Sequence, residues 1–116
     1  MQNGEEGLPR PFYYIREEDG TVHPIDDVLE WADRMAAIKD RWSLRTTVEE
    51  GVEVSTVFLA MDHSYLTYGG HAPLLFETMV FGGPLDGEME RYATEEAAYV
   101  GHGAMIERVR EATEEE

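Results

Sequence analysis

The chain contains no cysteine, a single lysine, and one residue each of asparagine and glutamine. The absence of cysteine excludes disulfide bonds, zinc sites with thiolate ligands and cysteine nucleophiles together. No apolar run approaches the roughly 20 residues that a membrane-spanning helix requires. The first residues are acidic and lack the apolar segment of a secretory signal, so we expect a cytoplasmic protein.

The motifs of several common enzyme classes are also missing. The sequence has no G-x-S-x-G nucleophile elbow, no phosphate-binding P-loop, no G-x-G-x-x-G fingerprint and no HExxH zinc motif. The glycine-bearing loops "YGGHAP" and "FGGP" have no lysine or helix start behind them that would hold a phosphate. We therefore expect no cofactor, and the pattern favours a protein that binds over one that catalyses.

Acidic residues dominate the charge. The 116 residues include 25 Asp and Glu against 9 Lys and Arg, which gives a formal net charge of -16. A field of this sign repels phosphate backbones and anionic lipids, so it argues against direct binding to nucleic acid or to a membrane. It favours a basic protein surface as the partner, although a need for solubility would produce the same composition.

Length and local pattern predict one domain. A chain of this size buries enough apolar surface for a single core. Glycines and prolines predict a flexible arm over residues 1–11. The expected domain covers residues 12–112, and residues 113–116 form an acidic tail.

The N-terminal half predicts a short hairpin and then a helix. The stretch "FYYIR" is aromatic and β-branched, and Asp19-Gly20 is typical of a tight hairpin turn. Pro24 suits the first turn of the helix, and apolar residues then recur at spacings of three and four. We expect these residues to form the buried face of the helix: Ile25, Val28, Leu29, Ala32, Met35 and Ala36.

The C-terminal half predicts a sheet followed by a second helix. Alternation from Trp42 to Glu49 leads through a turn into an apolar strand, and "LLFETMVF" predicts another strand. Thr94 is placed to cap a helix that continues to about Ala112. Its predicted buried stripe is Ala98, Gly101 or His102, Met105, Val109 and Ala112. The order β(β)αβββα predicts an α+β fold, with an antiparallel sheet of three to five strands packed by two helices.

Glu77 stands within an apolar strand, where an unpaired carboxylate is costly to bury. Arg45 or Arg91, in or beside a neighbouring strand, would be its ion-pair partner if that strand face is covered. The alternatives are a solvated or structurally paired carboxylate and a chemical group within a polar site.

Asp62 and His63 lie where an apolar strand opens into a loop. Both residue types suit metal binding or proton transfer, and strand ends commonly carry functional side chains. The alternative is a structural role, in which Asp62 caps the turn and His63 covers the sheet edge.

His102 falls on the predicted buried stripe of the last helix, between Gly101 and Gly103. Paired glycines are costly within a helix, so a strand or a ligand must approach closely there. With a ligand, the converging set for a divalent metal would be His63, His71, Glu77 and His102, although their spacing matches no metal motif.

The string "VSTVFLAMDHSY...PLLFETMVFGG...RYATEEAAYVGHGAMIERV" resembles a family of small uncharacterised proteins encoded by tailed bacteriophages and prophages. The resemblance covers residues 54–109. It departs at Ala60, where the family pattern has glycine, and in the loop 64–72, which is longer here. The resemblance implies a phage accessory protein that binds host machinery or host defence components in the host cytoplasm, and it implies no established activity.

Three functions remain open at this stage. The first is a noncatalytic accessory protein whose acidic, tyrosine-bearing surface inhibits a host defence or nucleic-acid-processing protein by occupying its basic site. The second is a protein that binds or sequesters a small, nucleotide-like ligand, and the third is a metal-dependent hydrolase built on His63, Glu77 and His102. We expect the first to be oligomeric, for example a homodimer.

The pocket hypotheses share one requirement, which is that Glu77 and His102 face each other across a polar hollow. The candidate ligand-binding residues are Arg45, Asp62, His63, Glu77, Arg91, Tyr92 and His102.

Overall fold

A computed structural model describes residues 12–38, 41–62 and 72–115, which form two helices and two antiparallel sheets. The predicted α+β class is confirmed, and the order of the elements matches except that four strands, rather than three, lie between the two helices. Neither helix of these described residues combines the length and the apolar character that crossing a membrane requires.

The first sheet is a short hairpin. β1 (Tyr14–Arg16) pairs antiparallel with β2 (Val22–Pro24), and Gly20 adopts a φ of 94° in the turn between them, a conformation that favours glycine. The Tyr14 N–H donates to the Ala60 carbonyl at 2.9 Å. This bond ties the hairpin to the chain that leaves the larger sheet.

α1 (Val28–Ala37) begins after Asp27, whose carboxylate accepts hydrogen bonds from the N–H groups of Leu29 and Glu30. Such a cap satisfies donors that have no partner inside the helix. Pro24 lies in β2, so its predicted place in the first helical turn is wrong. The helix therefore starts four residues after Pro24 rather than at it.

The second, larger sheet has its strands in chain order and antiparallel throughout. They are β3 (Ser43–Glu49), β4 (Val52–Phe58), β5 (Phe76–Phe81) and β6 (Met89–Tyr92). α2 (Glu95–Glu114) follows β6 and packs across all four of these strands.

α2 covers one face of the larger sheet. The valines Val54 and Val80 point toward it and pack with Met105 and Val109, all of them buried. As predicted, the buried stripe of α2 includes Ala98, His102, Met105 and Val109, whereas Ala112, which was also predicted to be buried, is only partly buried. The Thr94 side chain caps the helix by accepting a hydrogen bond from the Ala97 N–H at 3.0 Å.

No described helix covers the opposite face of the larger sheet, which we call the open face. Alternate residues of each strand point there because side chains alternate along a strand. The register aligns them in two cross-strand rows: Ser43, Val57, Glu77 and Arg91, then Arg45, Ser55, Met79 and Met89.

α1 packs against the hairpin through only part of its predicted apolar stripe. Met35 is buried, and the Trp31 indole N–H donates to the Tyr14 carbonyl at 3.0 Å. Val28 and Leu29 are instead 44% and 74% exposed. The predicted burial of this stripe is therefore wrong for four of its members, which are Val28, Leu29, Ala32 and Ala36.

Candidate functional site

His102 lies at the centre of a buried polar network between α2 and the larger sheet. One ring nitrogen, Nδ1, lies 2.7 Å from Thr56 Oγ1, and the other, Nε2, lies 3.0 Å from Thr46 Oγ1. Thr56 Oγ1 also lies 2.5 Å from Thr78 Oγ1. Thr56 and Thr78 are fully buried and His102 is 7% exposed. The ring therefore joins α2 to three neighbouring strands.

Both ring nitrogens of His102 already have hydrogen-bond partners. A neutral imidazole has one donor and one acceptor nitrogen, and a threonine hydroxyl can complement either. Burial lowers the pKa of His102 below its ordinary value, because a charged ring would lose its hydration. This geometry holds a neutral, structural histidine and leaves neither nitrogen free for a metal ion or a substrate.

Glu77 lies on the open face and forms an ion pair with Arg91. The two residues are directly opposite each other on β5 and β6, and Arg91 Nε lies 3.0 Å from Glu77 Oε2. Of the two partners that the sequence suggested, Arg91 is the one that pairs. Arg45 lies in the neighbouring cross-strand row, opposite Ser55.

Glu77 and His102 lie on opposite faces of the larger sheet. Thr78, the residue after Glu77, points toward α2 and joins the histidine network through Thr56. Neighbouring residues of a strand point to opposite faces, so Glu77 points away from that network. The two residues do not share a polar hollow, and they cannot ligate the same metal ion.

Two residues of the proposed metal set cannot be assigned a place in the fold. His63 and His71 fall outside the described residues. Within the described residues, no three side chains of His, Cys, Asp or Glu are grouped so that they could hold a metal ion.

Asp62, four residues after β4, is buried and forms hydrogen bonds with two other segments of the chain. Its carboxylate accepts a hydrogen bond from the Leu74 N–H at 3.0 Å, and its own N–H donates to the Phe12 carbonyl at 2.9 Å. These contacts favour the structural alternative, in which Asp62 fixes the local turn.

Tyr92 is the group that approaches α2 at Gly101. A Cβ atom at Gly101 would lie 2.2 Å from the hydroxyl oxygen of Tyr92. The close approach predicted from the glycines is therefore made by a side chain of β6. At Gly103 an added Cβ would meet no atom within 4 Å, so only one of the two glycines is required by packing.

The residues that the sequence suggested for a small-ligand pocket do not form one pocket in the structure. Tyr92 packs on α2, whereas Arg45 and Arg91 lie on the open face with Glu77. Because the sheet separates these groups, they do not converge on one ligand.

A groove of about 900 Å³ lies between the hairpin, α1 and the start of β3. Three of the charged side chains that line it, Arg16, Glu17 and Arg34, are held in ion pairs. Arg34 lies 2.6 Å from Glu17, which also contacts His23, and Arg16 lies 2.7 Å from Glu95. Hydrogen bonds from Arg34 and His23 lower the pKa of Glu17, and its carboxylate raises the pKa of His23.

Most arginines of the described residues are neutralised by a glutamate within 3.0 Å. These are Arg16, Arg34, Arg91, Arg108 and Arg110. Arg41 and Arg45 form no ion pair with any described residue. The excess of negative charge on the surface therefore resides in carboxylates that are not paired.

The surface that sequence reasoning missed is the outer side of α1. We define the α1 face as the exposed apolar residues Val28, Leu29, Ala32 and Ala36 together with the exposed acids Asp26, Glu30 and Asp33. The apolar stripe is visible in the sequence, but its spacing predicts a buried face. The acidic residues that flank the stripe indicate exposure, because several of them lie in or beside one short helix.

Comparison with protein-family models, curated proteins and solved structures finds no match to this chain. Function is therefore inferred from the contacts, burial and charge of the chain itself.

Proposed function

We propose that this protein is a noncatalytic binding protein that docks the α1 face in a groove of a basic partner protein. One observation carries the proposal: an apolar stripe on α1 remains exposed beside acidic side chains. Leu29, near the start of this stripe, is 74% exposed. An amphipathic helix with an uncovered apolar face fits the recognition mode in which a helix lies in a groove.

The apolar part of the α1 face supplies a free-energy reason to bind. Fully burying one leucine or valine side chain is worth roughly 1.5–3 kcal/mol. Folding does not gain most of this free energy at Leu29 and Val28, because the fold leaves them in water. A partner protein that covers both side chains would gain it on binding.

The charged part of the α1 face selects the partner. Asp26, Glu30 and Asp33 form no ion pair with any described residue, and the whole chain carries a formal charge of -16. Complementary charge steers association and rejects acidic surfaces. The partner is therefore a protein groove with an apolar floor and a rim of lysine and arginine.

Two other features support binding over catalysis. His102 is held in the core by two threonine hydroxyls, and Glu77 is held by Arg91. His102 and Glu77, two of the candidate residues for proton transfer, are thus held in structural contacts.

The resemblance to phage accessory proteins extends the proposal to a host partner. A host defence or nucleic-acid-processing protein offers a basic groove, because it must attract phosphate. The α1 face would compete there with DNA or RNA, and the protein would act as an inhibitor in the host cytoplasm.

A pull-down with matched variants tests the proposal. Wild-type chain, Leu29→Ser and Val100→Ser are immobilised and incubated with a bacterial lysate at low salt. Val100 is the control because it is 71% exposed, close to the value for Leu29, but lies on α2. We expect Leu29→Ser to lose the retained protein, Val100→Ser to keep it, and added salt to release it.

Charge reversal gives a second, independent reading of the same experiment. Glu30→Lys should weaken retention, whereas Glu111→Lys, an exposed change on α2, should weaken it less. Equal retention by Leu29→Ser and Val100→Ser, or no protein retained by the wild type at low salt, would contradict the proposal.

A further inference from the structure

β3 is an edge strand whose outer backbone groups bond to no described residue. It ends the strand order of the larger sheet and pairs with β4 only on its inner side. The Trp42 carbonyl accepts a hydrogen bond from the Phe58 N–H. Because bonded and non-bonded residues alternate in an antiparallel pair, the N–H and C=O groups of Ser43, Arg45 and Thr47 point outward.

This edge has little of the usual protection against pairing with another chain. Natural edges are blunted by proline, by short length, by a covering element, by bulges or by charged side chains. β3 has seven residues and no proline, whereas β6, at the other end of the sheet, has four. An irregularity in the register occurs only near its end, between Thr47 and Glu49.

Charge is distributed unevenly along residues 41–50, the segment that contains β3. Arg41 and Arg45 lie in its first half, and Glu49 and Glu50 lie at its end. None of these four residues forms an ion pair with a described residue, although most arginines of the described chain do. The segment is therefore complementary in charge to a copy of itself running in the opposite direction.

We propose that the protein forms a homodimer through antiparallel pairing of the β3 edges of two copies, with the twofold axis at Thr46. In this register the outward backbone groups of Arg45 meet those of Thr47 of the second copy, twice by symmetry. Each pair adds two backbone hydrogen bonds, as in an ordinary antiparallel ladder. The larger sheet then continues from one copy into the other.

Side chains agree with this register. Glu49 of the second copy lies opposite Ser43, so Arg41 and Arg45 are its diagonal neighbours on the open face. Diagonal neighbours lie about 7–8 Å apart, within reach of long side chains. On the other face, the half-buried Leu44 lies opposite Val48 of the second copy.

The interface is isologous, because the same residues act on both sides and the assembly closes at two copies. The inference is independent of the proposed docking function, since the α1 face contributes nothing to this edge. A single variant separates the two, because Leu29→Ser should weaken docking and leave the dimer Kd unchanged.

Sedimentation equilibrium of the full chain tests the proposal by a charge swap. We expect the wild type to dimerise, and Arg45→Glu and Glu49→Arg to raise the dimer Kd by about tenfold or more each, through loss of complementary pairs and gain of repulsion. The double variant Arg45→Glu/Glu49→Arg should recover most of the wild-type affinity. Circular dichroism confirms that each variant is folded.

Two further variants separate this interface from general effects of charge and folding. Arg110→Glu makes the same charge change at an exposed position of α2 and should leave the Kd unchanged. Arg45→Pro removes an outward N–H without touching the bonds to β4, a position where an edge strand tolerates proline, and should also give monomers. A wild type that stays monomeric at about 1 mM, or a dimer that Arg45→Glu and Arg45→Pro leave intact, would overturn the proposal.

Discussion

The two helices show the same kind of amphipathic pattern, but the fold uses them differently. α2 buries the stripe that its sequence predicts, including Ala98 and Val109. α1 buries Met35 and leaves Val28 and Leu29 in water. The comparison teaches that an apolar stripe on a helix predicts a surface that is stabilised by being covered. The stripe does not indicate whether the covering residues belong to the same chain or to another protein.

The cause of the difference is the area that lies opposite each helix. α2 has 20 residues and crosses every strand of the larger sheet. α1 has 10 residues and packs mainly on β1, a strand of three residues. So small a hairpin offers too little apolar surface to cover a stripe of this width. The α1 face is therefore left available for a second protein.

The largest expected effect lies under α2. His102→Ala removes a buried ring that joins α2 to the sheet, and it leaves a cavity beside Thr46 and Thr56. We expect a loss of about 2–4 kcal/mol in the free energy of unfolding, measured by urea denaturation. Val100→Ala, on the exposed side of α2, should change it by less than about 0.5 kcal/mol. Equal effects would mean that the network does not hold α2 in place.

The two glycines of α2 form a matched pair for the next effect. Gly101→Ala places a methyl group against Tyr92 and should cost about 1–3 kcal/mol of stability. Gly103→Ala meets open space and should instead gain about 1 kcal/mol from helix propensity. Thermal or chemical unfolding measures both, and a stabilising Gly101→Ala would contradict the packing of Tyr92 on α2.

The neutral state of His102 predicts a pH dependence of stability. Because burial lowers its folded pKa, the unfolded chain binds the proton first as the pH falls. This contribution is complete above about pH 6.5, the ordinary pKa of histidine, and is lost as the pH falls below that value. We expect the stability advantage of the wild type over His102→Gln to shrink between about pH 7.5 and pH 5.

Comparing the wild type with the His102→Gln variant isolates the effect of His102 on the stability. His23, whose pKa is raised by Glu17, works in the opposite direction but is present in both chains and cancels. A stability difference that stays constant over this pH range would show that the ring is not held neutral.

The smallest expected effect belongs to the open face. Glu77→Gln breaks an ion pair with Arg91 that is partly exposed, and such pairs contribute about 1 kcal/mol or less. Urea denaturation should therefore show only a small change, and the dimer should persist. A loss of several kcal/mol would assign Glu77 the buried anchoring role that the structure gives to His102.

The sequence predicted the elements better than their contacts. Period and capping residues placed α2, and the glycine argument correctly required a close approach at Gly101, now seen to be Tyr92. The predicted start of α1 at Pro24 is wrong, and the helix begins instead after Asp27, which has with Glu30 the spacing of a capping pair. Ala60, two residues after β4, adopts a φ of 65°, a left-handed conformation that favours glycine and that an alanine gives no reason to expect.

The separation of Glu77 from His102 could not be read from the pattern. Both faces of β5 carry apolar residues, with Phe76 and Val80 facing α2 while Met79 and Phe81 face the other way. Two apolar faces give no indication of which one a helix covers. That choice depends on the path of the chain after β6, which is a tertiary property.

The most direct test of the account is the free energy of unfolding of Leu29→Ser, measured by urea denaturation beside Val100→Ser. If the fold leaves the α1 face uncovered, both variants should lie within about 0.5 kcal/mol of the wild type. A loss of about 2 kcal/mol or more for Leu29→Ser alone would show that this face is already buried within the protein, and it would remove the docking surface.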